Sequence, residues 1–219
     1  MFARSPKFAV LFDMDGTLID SEPYWMESEQ ALAAKHNGSW TEKDGLDVVG
    51  MSLDKSSELL RDRANIPMEP TEIVDHLTEE VQKKLSLVIP WRPGARELLR
   101  DLKSHGVKTA LVTMSMHRMA KQVADAIDFE AFDVIVAGDD VRNGKPHPEA
   151  YLKAAELLGF PPEKCIAFED SISGLSSAEA AGTYAIGIPH IVPIPEKPGR
   201  NLIPSLVGLN YKQLRKLIK

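Results

Sequence analysis

The sequence predicts an α/β fold: a parallel sheet core flanked by helices, with an all-helical cap inserted after the first strand. Two observations predict the core. Five short β-branched runs alternate with longer amphipathic ones, the pattern of βαβ crossovers in a sheet covered on both faces. Several of the amphipathic runs end on a glycine just past their last apolar residue (Gly106, Gly159, Gly182), where a left-handed helix cap is expected. A third observation predicts the insert, because residues 21 to 91 hold almost no strand pattern.

The elements follow in order. Strands are expected at KFAVLFD (7 to 13), VKTALVT (107 to 113), FDVIVAG (132 to 138), KCIAFED (164 to 170) and TYAIGIP (183 to 189). Helices of the core are expected at 94 to 106, 117 to 127, 147 to 159 and 173 to 182. In the insert, YWMESEQALAAKH, SLDKSSELLRDRA and TEIVDHLTEEVQKKL read as consecutive helices punctuated by Gly38, Pro67, Pro70 and Pro90. WRPG, with Pro93 placed to open a helix, returns the chain to the core. The organisation is therefore 1–20 core, 21–91 helical cap and 92–219 core.

Composition narrows the function classes. A chain of 219 residues, 43% hydrophobic, can bury a core without covalent staples. Cys165 has no partner cysteine and reads as a small buried hydrophobe at the start of a strand, compatible with a reducing cytoplasm. Residues 1 to 16 carry no small-residue cleavage site, so no signal peptide is read. No apolar stretch approaches the roughly 20 residues that span a bilayer. A net charge of −6 argues against nonspecific nucleic-acid binding. The cationic Lys212, Arg215, Lys216 and Lys219 alternate with Leu209, Leu214 and Leu217 at helical spacing and read as the solvated face of a closing helix. The histidines show no zinc spacing. We expect a cytoplasmic monomer that acts on a small molecule, with neither nucleic acid nor membrane as partner.

Parallel α/β sheets bind ligands outside the carboxyl ends of their strands. Strand one ends in Asp13-Met14-Asp15-Gly16-Thr17 and strand two in Thr113-Met114-Ser115. The turn after strand three holds Gly144-Lys145-Pro146, and strand four ends in Glu169-Asp170 with Gly174 soon after. Four carboxylates, a hydroxyl and an ammonium would thus share one edge. Unpaired carboxylates repel in a partly dry site, and a hard cation such as Mg²⁺ relieves that while leaving room for a substrate phosphate. A cation and Lys145 together suit a phosphoryl group, whose charge spreads over three oxygens in the transition state. Thr113 and the amides of Met14, Asp15 and Met114 add donors. An ionised aspartate can attack phosphorus, and a second carboxylate two residues on can serve the leaving alcohol and then the water.

At these residues the chain resembles the haloacid dehalogenase superfamily of phosphohydrolases. DMDGT is similar to its first motif, LVT to its second, GKPHPE to its third and FEDSISG to its fourth, in the right order and on predicted strand ends. The resemblance implies a Rossmann-like core, Mg²⁺ as cofactor and an aspartyl-phosphate intermediate. It implies Asp13 as nucleophile and metal ligand, and Asp15 as general acid/base that binds metal through its backbone carbonyl. Thr113, Met114 and Lys145 would hold the phosphoryl group, and Asp170 would complete the metal site. Glu169 either ligates the metal directly or supports the site.

Within the superfamily, Asp15 argues against the dehalogenase branch. The β-phosphoglucomutase branch is similar at Gly50-Met51-Ser52 but places a histidine where this chain has Trp25. DSEPYW (20 to 25) resembles hexose-phosphate phosphatases related to 2-deoxyglucose-6-phosphatase. The expected activity is a phosphatase for a sugar phosphate; a phosphosugar mutase and a catalytically weak phospho-ligand binder are the alternatives. Asp20 and Glu22 read as acidic residues favouring the first helix start of the cap, and His147 as a hydrogen-bonding residue. Trp25 either packs inside the cap or lines the site.

Overall fold

The computed structural model describes residues 7–218. The expectations for the first six residues and for Lys219 lie outside them. The first strand, β1 (Ala9–Phe12), is buried at every position. That fits a continuous apolar run with helices on both sides of the sheet. It pairs in parallel with β2 (Lys108–Val112) on one side and β4 (Cys165–Glu169) on the other. With β3 (Val134–Val136), β5 (Tyr184–Gly187) and β6 (Asn201–Leu202) the sheet order is β3-β2-β1-β4-β5-β6. The chain winds outward from β1 to β3, then returns beside β1 as β4. The switch point, where a parallel sheet opens its crevice, therefore lies between β1 and β4.

Alternation along β1 divides the interior in two. Val10 and Phe12 face a cluster built with α5 (Ala95–Ser104) and α6 (His117–Asp125) through Leu98, Leu102, Met119 and Val123. Ala9 and Leu11 face a second cluster with α7 (Glu149–Leu158) and α8 (Ile172–Ala180), to which these helices give mostly alanines (Ala150, Ala154, Ala155, Ala178) with Tyr151 and Leu175. Phe12 stacks on Phe168 across the β1–β4 pair at 5.3 Å. Cys165 is fully buried, and burial pushes its thiol up to about 12, as an unreactive strand residue requires.

The interval between β1 and α5 is all helical and forms the insert. It comprises α1 (Glu22–Lys35), α2 (Glu42–Val48), α3 (Leu53–Ala64) and α4 (Pro70–Leu87). Leu32, Trp40, Leu60, Ile73, Leu77, Val81 and Leu85 fill its interior. Two strands of chain join cap to core side by side: Asp20 N donates to Pro90 O at 2.8 Å, and Arg92 N to Leu18 O at 2.8 Å.

Three details depart from the pattern reading. The helix α2 has only seven residues with a glycine inside, too short for periodicity, and is held by a reciprocal Thr41–Asp44 cap. The short β6 was not expected; it pairs only over Ile186↔Asn201 and Gly187↔Leu202 at the sheet edge. The closing helix α9 (Tyr211–Leu214) is one turn rather than a full helix, anchored by the buried Leu214. No helix among the described residues is long and apolar enough to cross a membrane.

Candidate active site

β1 and β2 stop one residue before Asp13 and Thr113, β4 ends on Glu169, and Lys145 lies in the loop after β3. Past β1, Asp13 N still donates to Phe168 O at 3.0 Å, which fixes the aspartate to the sheet. The chain then turns back on itself: Leu18 N and Ile19 N both donate to Met14 O, and Gly16 N to Ile19 O. Gly16 sits at φ +80°, and a β-carbon there would lie 2.0 Å from Asp170 Oδ2. Glycine is thus needed twice, for the turn and for the approach of the β4 carboxylate to the β1 loop. Arg92, from the strand returning out of the cap, donates to Gly16 O.

Lys145 arrives from the loop after β3, which Glu149 organises by accepting from the Arg142 and Asn143 amides. Its ammonium is buried and lies 2.7 Å from Asp13 Oδ1, 2.6 Å from Glu169 Oε1 and 2.9 Å from Val112 O. Tyr151 donates its hydroxyl to the same Glu169 oxygen at 2.5 Å and sets its ring 5.2 Å beneath the ammonium. Burial opposes the charge on Lys145, but Asp13 and Glu169 outweigh it and push its pKa up. Gly174 makes room for Glu169, since a β-carbon there would meet the carboxylate at 2.0 Å.

One ammonium does not balance three carboxylates. Asp13, Glu169 and Asp170 are all buried and can place one oxygen each within 4.8 Å of one another. Burial first, then the charge of Glu169, pushes the Asp13 carboxyl up to about 7 against the pull of Lys145. Burial and Asp13 push Asp170 well up as well. Asp13 Oδ2 is buried with no hydrogen-bond partner among the described residues. A buried orphan oxygen beside a second carboxylate in a set of hard donors fits a divalent cation such as Mg²⁺.

Asp15 points the other way and is held from four sides. Ser21 Oγ donates to its Oδ1 at 2.5 Å and Trp25 Nε1 at 3.3 Å, both from the entry to the cap. Thr113 Oγ1 donates to Oδ2 at 3.2 Å and Ser115 Oγ at 2.7 Å, both from the end of β2. Thr113 in turn accepts from Ser115 N at 3.0 Å. Met114 places its sulfur against the Lys145 amide at 3.2 Å.

All seven sequence-predicted residues (Asp13, Asp15, Thr113, Met114, Lys145, Glu169 and Asp170) come together at this edge. Of these, Asp13, Asp15, Met114, Lys145 and Asp170 line a cavity between core and cap. Sequence reasoning missed Ser115 and Tyr151. Ser115 stood in the motif unassigned, and Tyr151 gave no signal beyond one aromatic on an alanine-rich helix. Glu22 opens α1, as expected of a helix-start acid, but it also lines the cavity, with Trp25 and Glu29. Burial, then the charge of Asp15, pushes Glu22 up to about 8, and burial pushes Glu29 up to about 7. Asp20 lies outside the cavity lining, 2.8 Å from His190 Nε2.

Residues 9–182 match the haloacid dehalogenase-like hydrolases. A phosphorylated carbohydrates phosphatase of Thermotoga maritima is 37% identical over 184 residues, covering 83% of this chain and 85% of that protein. Hexitol phosphatase B of Escherichia coli is 32% identical, covering 86% and 84% respectively. A CbbY variant from Rhodobacter sphaeroides, solved in complex with xylulose-(1,5)bisphosphate, superposes with a TM-score of 0.85 at 27% identity, over 93% of this chain and 96% of that one.

Proposed function

We propose that this chain, which belongs to the haloacid dehalogenase-like hydrolase family and is a phosphoric monoester hydrolase, removes the phosphate of a small phosphorylated carbohydrate by way of an aspartyl-phosphate on Asp13. The observation that supports this most is the pairing of two differently held carboxylates. Asp13 is fixed against Lys145 with one oxygen unpartnered, while Asp15 hangs from hydroxyls and an indole beside the cavity.

In the first half-reaction an Asp13 oxygen attacks phosphorus, and the bond from phosphorus to the leaving oxygen breaks. Asp15 supplies the proton that the departing alkoxide needs. In the second, Asp15 takes a proton from water, whose oxygen attacks the same phosphorus; the bond from phosphorus to the Asp13 oxygen breaks, which frees the Asp13 carboxylate and releases the phosphorus as inorganic phosphate. Lys145, the Thr113 hydroxyl and the Met114 amide would hold the phosphoryl oxygens in line. Asp13, Asp170 and the Asp15 carbonyl would hold Mg²⁺, with Glu169 bracing Lys145 behind them, and the ion would supply positive charge against the phosphoryl oxygens. The helical insert would act as a cap that keeps bulk water from the intermediate and shapes the leaving-group pocket.

The test is phosphate release from a panel of sugar phosphates, phosphoglycolate and nucleotides with Mg²⁺. Release is expected to stop on EDTA addition and to fall at least about 10³-fold in Asp13→Asn, as when a covalent nucleophile is lost. A phosphosugar mutase would use the same residues but return phosphate to the sugar. Isomerised sugar phosphate without inorganic phosphate would replace the hydrolase reading by that one. Absence of turnover from a folded protein with metal would leave a phospho-ligand binder.

A further inference from the structure

The reacting half of the cavity is accounted for by the mechanism; two carboxyl groups of the cap are not. Glu22 is 9% exposed and Glu29 6%, both on α1, and both line the cavity between cap and core. Glu22 makes no hydrogen bond and no ion pair among the described residues, though polar groups this buried are normally paired. Glu29 accepts from Trp40 Nε1 at 2.9 Å through Oε2, and its second oxygen has no hydrogen-bond partner among the described residues. Around them the wall is mostly apolar (Met26, Val48, Val49, Met51 and Leu53), with the hydroxyl of Ser56 among these side chains. Among the described residues that line the cavity, Lys145 is the only cation, and it is matched to Asp13 and Glu169.

We infer that Glu22 and Glu29 determine specificity, by hydrogen-bonding the hydroxyls of a neutral polyhydroxy leaving group and by excluding any substrate that carries a second anionic group. This rests on the phosphatase reading above. A carboxylate accepts from two or more hydroxyls, and a protonated carboxyl donates to one and accepts from another. Either form satisfies a polyol. Neither form carries the positive charge that a second phosphate or a carboxylate needs, and the serine hydroxyls of the lining (Ser56, Ser171) offer hydrogen bonds but no countercharge. Selection by unpaired buried polar groups is strong, because an analogue lacking the partner leaves them unsatisfied.

The experiment compares kcat/KM for fructose 6-phosphate, fructose 1,6-bisphosphate, phosphoglycolate and p-nitrophenyl phosphate in the wild-type holoenzyme. Fructose 6-phosphate is expected to exceed both the bisphosphate and phosphoglycolate by about 10-fold or more. Glu22→Ala and Glu29→Ala are expected to lower the ratio of fructose 6-phosphate to p-nitrophenyl phosphate by about 5–30-fold, mainly through KM, with Glu→Gln restoring part of it. Glu29→Lys is expected to narrow the gap between mono- and bisphosphate, which a purely steric exclusion would leave unchanged. Equal turnover of the bisphosphate by the wild type, or ratios that the alanine variants do not move, would overturn the inference while the phosphatase stands. No release from any compound, p-nitrophenyl phosphate included, would overturn both.

Discussion

The cavity has two walls built from the same side-chain type and opposite in design. On the core wall, Asp13 and Glu169 share one buried ammonium, a tyrosine hydroxyl closes the network, and Asp13, Glu169 and Asp170 can each bring an oxygen within 4.8 Å of the others. On the cap wall, Glu22 has no partner among the described residues and Glu29 has one indole. The core wall stands on strand ends, whose ladder fixes every carboxylate. The two carboxyls of the cap wall stand on one helix, α1, whose start is tied to the core through the Asp15 contacts of Ser21 and Trp25. The difference teaches a division of labour. The core-wall groups are tied to one another and to Lys145, with negative charge left over for a cation; the cap-wall carboxyls keep acceptor capacity for a substrate to fill.

Breaking the core wall should have the largest effect. Lys145→Met leaves three buried carboxylates with no protein cation, and removing one member of a buried ion pair costs about 3–5 kcal/mol. Phosphate release should fall at least about 10³-fold, and denaturant unfolding should show the lost stability. An active, equally stable variant would mean that Lys145 balances nothing. Gly16→Ala comes next. It forces a β-carbon into the Asp170 carboxylate and a non-glycine residue into a left-handed turn, at roughly 1–3 kcal/mol. Activity should drop about 100-fold with a weakened response to added Mg²⁺, read from a metal titration of turnover.

On the cap wall the expected effects are smaller and depend on pH. The Glu29 carboxyl stands near 7 in the folded protein against 4.5 in the unfolded chain, burial being the cause. The native state therefore binds more protons between these values. Its contribution to stability is full below about 4.5 and is lost as pH rises through about 7. Denaturant midpoints measured from pH 5 to 8 should fall less steeply in Glu29→Gln than in the wild type; identical slopes would show that Glu29 does not titrate there. Trp40→Phe should have the smallest effect, about 1 kcal/mol for one hydrogen bond, with phosphate release from p-nitrophenyl phosphate lowered less than that from a sugar phosphate.

The amino-acid sequence by itself determined the architecture and the chemical edge of this protein. An apolar strand that ends on Asp13 and Asp15, β-branched runs alternating with amphipathic ones, and a long strand-free interval specify a parallel sheet with a helical insert, because periodicity and turn chemistry are local. Such signals place Thr113, Lys145, Glu169 and Asp170 at strand ends, hence on one side of the sheet. They failed for α2 and β6, which are too short to show a period and depend on a cap and a sheet-edge pairing. Tertiary structure alone decided which groups pair: Lys145 and Asp13 are 132 residues apart in the chain and 2.7 Å apart in space. It also decided that Asp15 hangs from Ser21, Trp25 and Ser115, and that Glu22 and Glu29 turn into the cavity. The rotation of α1 about its own axis is set by how the cap docks on the core, through contacts between residues distant in sequence, and no run of neighbouring residues encodes it.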